Sequence, residues 1–425
     1  MGKHCVSDTS CVPRRVKILL FTIGFPPSIG GVQKYLGEIA LRITAGQLFV
    51  YAARSSGSYI PDGVYPWRMR RYWTPDLSWL PNRIAMLLRI SFFLCVLLRG
   101  VVRVRPSIIW SGSECWFLAI PSALIGKMFK IPTVCSVHGD LLPKDGGYGK
   151  WKGIRKWIWS FVLSNFDSIM VVSNYVRDLV LHLGVVADRI IIVPGGVDTR
   201  VFREGEGDYL RERLGLGACK VLLTVGRLDR RKNHEAVVRC LPYLTERTGP
   251  VKYVICGTGR EEAHIRRVAR EQGVEASVVF VQQVREDAVL QQYYASCDLF
   301  VMPNIQLEDG DTEGLGIVFL EAAACGKPVI TGLAGGAPET VVHGVTGLSV
   351  DGRNLQGLRD AILSLLCNPQ KAREMGAQGR ERVIEMFSWD MSAKKVDEVL
   401  LQALRKKCLR SMYNVLRPPN PRKTS

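Results

Sequence analysis

Glu313-Gly-Leu-Gly-Ile-Val-Phe-Leu-Glu321 places two carboxylates on either side of a stretch with no other charge. If all of it were helical, the carboxylates would lie roughly 12 Å apart along the axis, at about 1.5 Å per residue. A carboxylate pair working on one bond sits ~5 to 9.5 Å apart. The wider spacing suits the two ends of one long ligand. Gly314, Leu315 and Gly316 form a turn into the apolar run that begins at Ile317. A helix starting there aims unpaired N–H groups at an anion. A nucleoside diphosphate-sugar matches this layout, with hydroxyls, two phosphates and more hydroxyls in line. Taken alone, the same residues also read as a surface glutamate, a turn and an amphipathic helix.

A second segment, Gly226-Arg227-Leu-Asp-Arg-Arg-Lys232-Asn233, follows the apolar run Val221–Val225. Arg227 offers a planar fork and Lys232 a point charge, so a loop carrying both is suited to gripping phosphates. With those cations in place no metal is expected, and Glu308, Asp309 and Asp311, together with Asp298, read as an acidic patch rather than an ion site. Gly30-Gly31 falls between a strand-like run and a helical stretch, where a backbone without Cβ lets a ligand approach. His138, in Ser136-Val-His-Gly-Asp140, ends another apolar run, and a satisfied structural histidine is the competing reading. Gly257-Thr-Gly259 closes a further one. Neither a dinucleotide fingerprint nor a P-loop occurs at the first turn.

These residues recur at the ends of short, continuously apolar segments that alternate with helical ones, the pattern of buried parallel strands in βαβ units. The candidate strands are Val16–Ile23, Ser107–Trp110, Thr133–Val137, Ser168–Val172 and Ile190–Val193. A second set comprises Val221–Val225, Tyr253–Cys256, Val278–Val281, Leu299–Met302, Val329–Thr331 and Leu348–Val350. A charged break near 200–218 separates the sets. A length of 425 residues fits two domains, since single cores rarely grow past ~250 to 300 residues. The expected organisation is a doubly wound α/β domain over 1–203, a second over 204–387, a helix over 388–408 crossing back to the first, and a basic mobile tail over 409–425. Ligands of such sheets bind beyond the carboxyl ends of the strands, which points to the cleft between the domains.

The net charge of +18 is uneven: residues 1–200 hold 25 Lys and Arg against 11 Asp and Glu. The basic half should therefore face an anionic partner. No nucleic-acid-binding module and no interleaving of aromatic and basic residues is present, so nucleic acid is not expected. The apolar stretch Ile84–Val102 is interrupted by Arg89 and Arg99. Its uninterrupted core, Ile90–Leu98, is nine residues, short of the ~20 a spanning helix needs. A buried helix is the favoured reading, and an interfacial membrane helix the alternative, given Trp67, Trp73 and Trp79 just upstream. Twelve scattered cysteines without a C-x-x-C pair speak against zinc and for reduced thiols. With no secretory signal in the first 20 residues, the expected location is cytoplasmic, peripheral at the inner face of the membrane.

In this order the motifs resemble the retaining GT-B glycosyltransferases with a Glu-x7-Glu motif, a family that includes sucrose synthases and bacterial mannosyltransferases. The resemblance rests on Gly30-Gly31, His138, Gly226-Arg227 with Lys232-Asn233, Gly257-x-Gly259, and Glu313 with Glu321. It implies that Glu321 binds the ribose and that Glu313, with the backbone of Gly314, Leu315, Gly316 and Ile317, contacts the donor sugar. Arg227 and Lys232 would stabilise the departing diphosphate. Gly31 would lie near the phosphates, His138 near the sugar, and Val284 near the base. Pro194-Gly-Gly-Val-Asp198 looks like the family's turn before the hinge, with Gly195 where Asn is common, and Leu315 replaces a common aromatic. The segments around Met302-Pro-Asn and Gly335-Gly-Ala-Pro-Glu339 are similar to actinobacterial phosphatidylinositol mannoside mannosyltransferases. That implies GDP-mannose as donor and a lipid-linked or glycan acceptor. A UDP-sugar-dependent transferase and a nucleotide-sugar epimerase are the alternatives.

Overall fold

A computed structural model describes residues 16–54, 67–139, 152–282 and 284–416. Asp140 and the segment 417–425 of the expected tail lie outside them.

The first domain is built on β1 (Lys17–Thr22), β2 (Gln47–Ala53), β3 (Arg68–Tyr72), β4 (Ile108–Ser111), β5 (Thr133–Val137), β6 (Ser168–Val171) and β7 (Ile190–Ile192). All pair in parallel in the order β3-β2-β1-β4-β5-β6-β7. Helices α1 (Gly31–Arg42), α2 (Asn82–Val104), α3 (Trp116–Met128), α4 (Lys152–Ser164) and α5 (Asn174–His182) cover the two faces. Strands β1, β4, β5, β6 and β7 match sequence candidates, whereas β2 and β3 were not singled out. The Arg-rich β3 (Arg68-Met-Arg-Arg-Tyr72) is an edge strand whose charges hide its strand character.

The second domain runs α6 (Asp208–Arg213), β8 (Lys220–Val225), α7 (His234–Thr248), β9 (Val251–Cys256), α8 (Glu262–Glu271), β10 (Val278–Val281), α9 (Asp287–Ser296) and β11 (Leu299–Met302). It continues through α10 (Ile317–Ala324), β12 (Val329–Gly332), β13 (Gly347–Val350), α11 (Leu355–Leu366) and α12 (Pro369–Met386). The sheet order is β10-β9-β8-β11-β12-β13. In both sheets strand order reverses beside the first strand, between β1 and β4 and between β8 and β11. A reversal of this kind opens a crevice at the carboxyl ends, and the two crevices carry the loops after β1 and β8.

Helix α13 (Trp389–Leu416) returns to the first domain and packs along α1. Its Asp397, 8% exposed, accepts hydrogen bonds from Thr44 N (2.8 Å), Thr44 Oγ1 (2.6 Å) and Ala45 N (3.0 Å), holding the turn after α1. Ser392 Oγ donates to the Pro194 carbonyl at 2.8 Å. The helix continues to Leu416, through part of the segment expected to be tail.

The apolar stretch expected to be a helix, buried or interfacial, lies within the single helix α2. Within α2, Ile84–Val104 is long and apolar enough to cross a membrane by length and composition, with a mean hydropathy of 2.1. One face packs on the sheet and α3 through Phe93, Leu97, Val101 and Val104. The opposite face leaves Leu87 and Val102 exposed at 62% and 64%. The two arginines do not break the helix because neither occupies the buried face.

Candidate active site

The second domain's wall of the cleft is made by two loops. The first leaves β8 through Gly226, whose φ of 145° favours glycine, and turns at Arg230–Lys232 before α7. Asn233, at φ 58°, closes the turn, and its side-chain amide donates to the carbonyls of Pro303 (3.1 Å) and Gly352 (2.7 Å). The second loop leaves β11 and reaches α10. Asn304, fully buried, fastens it by donating to the Ala334 carbonyl at 2.7 Å and accepting from Gly332 N at 3.0 Å.

Arg231 joins the loops, donating to Asp311 Oδ1 at 3.0 Å and to the Thr312 carbonyl at 2.9 Å. Lys232 forms an ion pair with Glu313, both side chains largely buried. Burial alone would raise the Glu313 carboxyl, but the charges of Lys232, Arg231 and Arg227 outweigh it and hold the group at about 2. Arg227 stays 61% exposed, beside Asp229 at 3.3 Å, and so is accessible to a ligand. Glu313 is not helical: α10 begins at Ile317 behind Gly316, at φ 88°. The carboxylates therefore belong to a turn and a helix rather than to one helix. Glu321 is 2% exposed and accepts a hydrogen bond from the Tyr294 hydroxyl at 2.7 Å.

The first domain supplies the facing wall. His138 follows β5, and its backbone N–H donates to the buried carboxylate of Glu114 (3.1 and 3.2 Å), as does Gly139 N at 2.8 Å. Its Nε2 lies 3.2 Å from the Gly112 carbonyl. A carbonyl only accepts, so this contact assigns the proton to Nε2. The ring packs edge-on against Tyr35, centroids 5.2 Å apart. The His138 carbonyl lies directly against Gly314, where a Cβ would collide with it. Ser173 Oγ donates to the Gly314 carbonyl at 2.7 Å. Glu339, from the Gly335-Gly-Ala-Pro-Glu segment, accepts the N–H groups of Asn174 and Tyr175, each at 2.8 Å, and so caps α5 from the opposite domain.

One cleft of about 780 Å³ is lined by all twelve sequence candidates: Gly30, Gly31, His138, Arg227, Lys232, Val284, Glu313, Gly314, Leu315, Gly316, Ile317 and Glu321. The acidic patch does not act as a unit. Asp298 receives Val221 N (2.7 Å) and Arg211 (2.9 Å) at the start of β8, while Asp311 pairs with Arg231. Among the described residues no group of three His, Cys, Asp or Glu is placed to hold a metal ion. Sequence reasoning passed over Arg231, Glu114, Lys34, Asp287 and Tyr294. Arg231 lay inside a motif already quoted. Glu114, a carboxylate beside the apolar strand β4, carried a readable signal. The others depend on which helices meet.

Two family models match parts of the chain: "Glycosyltransferase Family 4" over residues 29–201 and "Glycosyl transferases group 1" over residues 210–382. The chain is 33% identical over 394 residues to a GDP-mannose-dependent alpha-(1-6)-phosphatidylinositol monomannoside mannosyltransferase of Mycobacterium tuberculosis, covering 90% of this chain and 98% of that one. A GDP-mannose-dependent enzyme of Corynebacterium glutamicum, acting on the monoacylated monomannoside, is 28% identical, with 90% and 97% covered. Among solved structures, sucrose-phosphate synthase from Thermosynechococcus elongatus superposes with a TM-score of 0.75 at 23% identity, over 94% of this chain and all of that one. HepE of Anabaena, in complex with UDP and glucose, gives 0.69 at 20%, over 91% and 100%. The fold is thus GT-B, and with the family match on residues 210–382 and a relative at 33% identity across nearly its full length, the chain belongs to the group 1 glycosyltransferases.

Proposed function

We propose that this enzyme transfers mannose from GDP-mannose, with retention of configuration, to a lipid-linked acceptor presented at an anionic membrane surface. The observation that carries the reading is the Arg227–Lys232–Glu313 cluster at the mouth of α10, with Glu321 one helix turn further in. Breaking the anomeric C–O bond leaves an oxocarbenium-like sugar and a diphosphate of greater negative charge. Arg227, Lys232 and the N–H groups opening α10 stabilise that charge where it develops. They supply the positive charge a metal would otherwise bring. Glu313, ionised and held by Lys232, accepts hydrogen bonds from donor-sugar hydroxyls, and Glu321 accepts them from the ribose. The acceptor attacks from the face the diphosphate leaves, beside His138. GDP-mannose as donor rests on the relatives, whose names specify it.

The membrane reading rests on the first domain's outer face. Exposed Trp79 (76%), Leu87 (62%) and Trp157 (67%) stand on or beside α2 and α4. Trp157 stacks on Phe161 with centroids 5.9 Å apart. Exposed Arg99, Arg103 and Lys156 accompany them. Aromatic and apolar side chains amid cations suit an anionic interface.

Thermal shift against GDP, UDP, ADP and their sugars tests the donor, with Glu321→Ala as control. Stabilisation by GDP species alone, lost in the variant, is the expected result. A shift with UDP species alone replaces the donor, and no shift with any nucleotide overturns the reading. Vesicle co-sedimentation that ignores anionic lipid content removes the membrane part.

A further inference from the structure

Lys34, on α1 of the first domain, reaches across the cleft into the second. Its Nζ lies 2.6 Å from Glu321 Oε1 and 2.9 Å from Asp287 Oδ1, at the start of α9. It also stands over the Phe202 ring, 4.7 Å from the centroid. The other oxygen of Glu321, Oε2, takes the Tyr294 hydroxyl. Burial alone would lower the Lys34 ammonium's pKa, but Glu321 and Asp287 together hold it well above the ordinary lysine range, so it remains a cation.

The arrangement has a consequence for how the donor is held. A carboxylate as buried as Glu321 needs a cation or several donors, because an isolated charge out of water is costly. Its partner cation comes from the other domain, so the pair exists only while the two domains are together. A carboxylate has about four acceptor positions. Lys34 and Tyr294 use one on each oxygen, and the remainder are available to ribose hydroxyls. Lys34 therefore fixes the Glu321 rotamer without filling its capacity.

We propose that Lys34 is a positioning residue of the donor site, joining Glu321 and Asp287 across the cleft so that nucleotide occupation of Glu321 and closure of the two domains become one coupled event. This rests on the donor reading above for the role of Glu321, whereas the closure half does not depend on it. Ribose hydroxyls and Lys34 share one carboxylate and reinforce each other, since each orients it for the other.

The test uses the full chain as wild type, Lys34→Ala, Lys34→Arg, Glu321→Gln and the Lys34→Ala/Glu321→Gln double variant. Small-angle scattering reads compactness without nucleotide. Calorimetry reads affinity for GDP, UDP and ADP. Lys34→Ala is expected to expand the molecule and to weaken its nucleoside diphosphate by about 10-fold, the scale of coupling between contacting groups. Lys34→Arg should restore most of both. On the Glu321→Gln background, Lys34→Ala should change affinity by less than about 2-fold, since the partner it acts through is already neutral. An equal loss on both backgrounds, or unchanged compactness in Lys34→Ala, overturns the inference. If the wild type binds no nucleoside diphosphate, the donor reading fails, and scattering alone decides whether Lys34 holds the domains closed. Should Lys34→Ala not fold, Lys34→Gln replaces it, removing the charge while leaving a polar side chain one atom shorter.

Discussion

Lys232 and Glu313 meet as an ion pair in the cleft, their side chains 9% and 12% exposed, on loops that follow two neighbouring strands of the second sheet. Each makes the other tolerable: removing one partner of a largely buried pair leaves a poorly solvated charge, at about 3–5 kcal/mol.

Lys232→Ala is therefore expected to lower both stability and turnover. Turnover should fall by about 10²–10³, the range seen when one preorganised electrostatic contact to a transition state is lost. The double variant Lys232→Met/Glu313→Gln should recover much of the melting temperature and none of the activity. Recovered activity would show that Lys232 serves the fold alone.

Glu313 also sets a pH dependence. Its folded value of about 2 lies below its ordinary 4.5, so the native state is favoured above the ordinary value and loses this contribution as pH falls from about 4.5 toward 2. The stability advantage of wild type over Glu313→Gln should shrink across that window. An advantage constant from pH 6 to 3 would contradict the pairing.

His234 acts in a higher window. Burial first, and then the charge of Lys232, depress it to about 4 from 6.5. The unfolded chain takes up a proton on this residue between pH 6.5 and 4 while the folded one does not, so stability declines as pH falls through that range. Melting curves of His234→Gln should be flatter there than wild type, though lower at pH 7 if the contact of Nδ1 with the Tyr253 hydroxyl, 3.0 Å, is lost.

Gly314 of the second domain lies directly against the first. A Cβ there meets the His138 carbonyl, so Gly314→Ala should hinder closure and cut turnover by about 10-fold or more, with far less effect on nucleotide affinity. Equal losses in both would place the effect in donor binding instead.

On the outer face, Leu87→Glu and Trp157→Ala replace exposed side chains, so melting temperature should stay nearly constant. Partition onto anionic vesicles should drop several-fold, because the changes remove apolar anchors and the first adds a like charge. Undiminished partition would move the contact elsewhere on the first domain.

Much of this was written locally. The apolar runs ending at Val137, Val225 and Met302 predict buried strands, because parallel strands covered on both faces tolerate few polar residues. The residues just past their ends, His138, Arg227 and Lys232, therefore read as ligands of one cleft before any contact was known, and the Glu313-to-Glu321 spacing belonged to the same local pattern. Strand β3 escaped because an edge strand can carry arginines, and the apolar length of α2 was read as nine residues because its arginines were counted as breaks, although a helix can place them off the packed face.

The rest required the chain to fold. That Glu313 sits beside a turn and Glu321 in a helix was legible in Gly314-Leu-Gly316 and the apolar run behind it, but the left-handed backbone at Gly316 that makes the turn appears only in the packed loop. That Asp311 pairs with Arg231 rather than with its acidic neighbours depends on two loops meeting, 80 residues apart in sequence. The contact of Lys34 with Glu321 spans 287 residues and two domains. Sequence spacing carries residue type and local period, which are properties of neighbours along the chain. Pairing across a cleft depends on how two sheets are docked, and that is set by the packing of α13 on α1 and of Gly314 on His138.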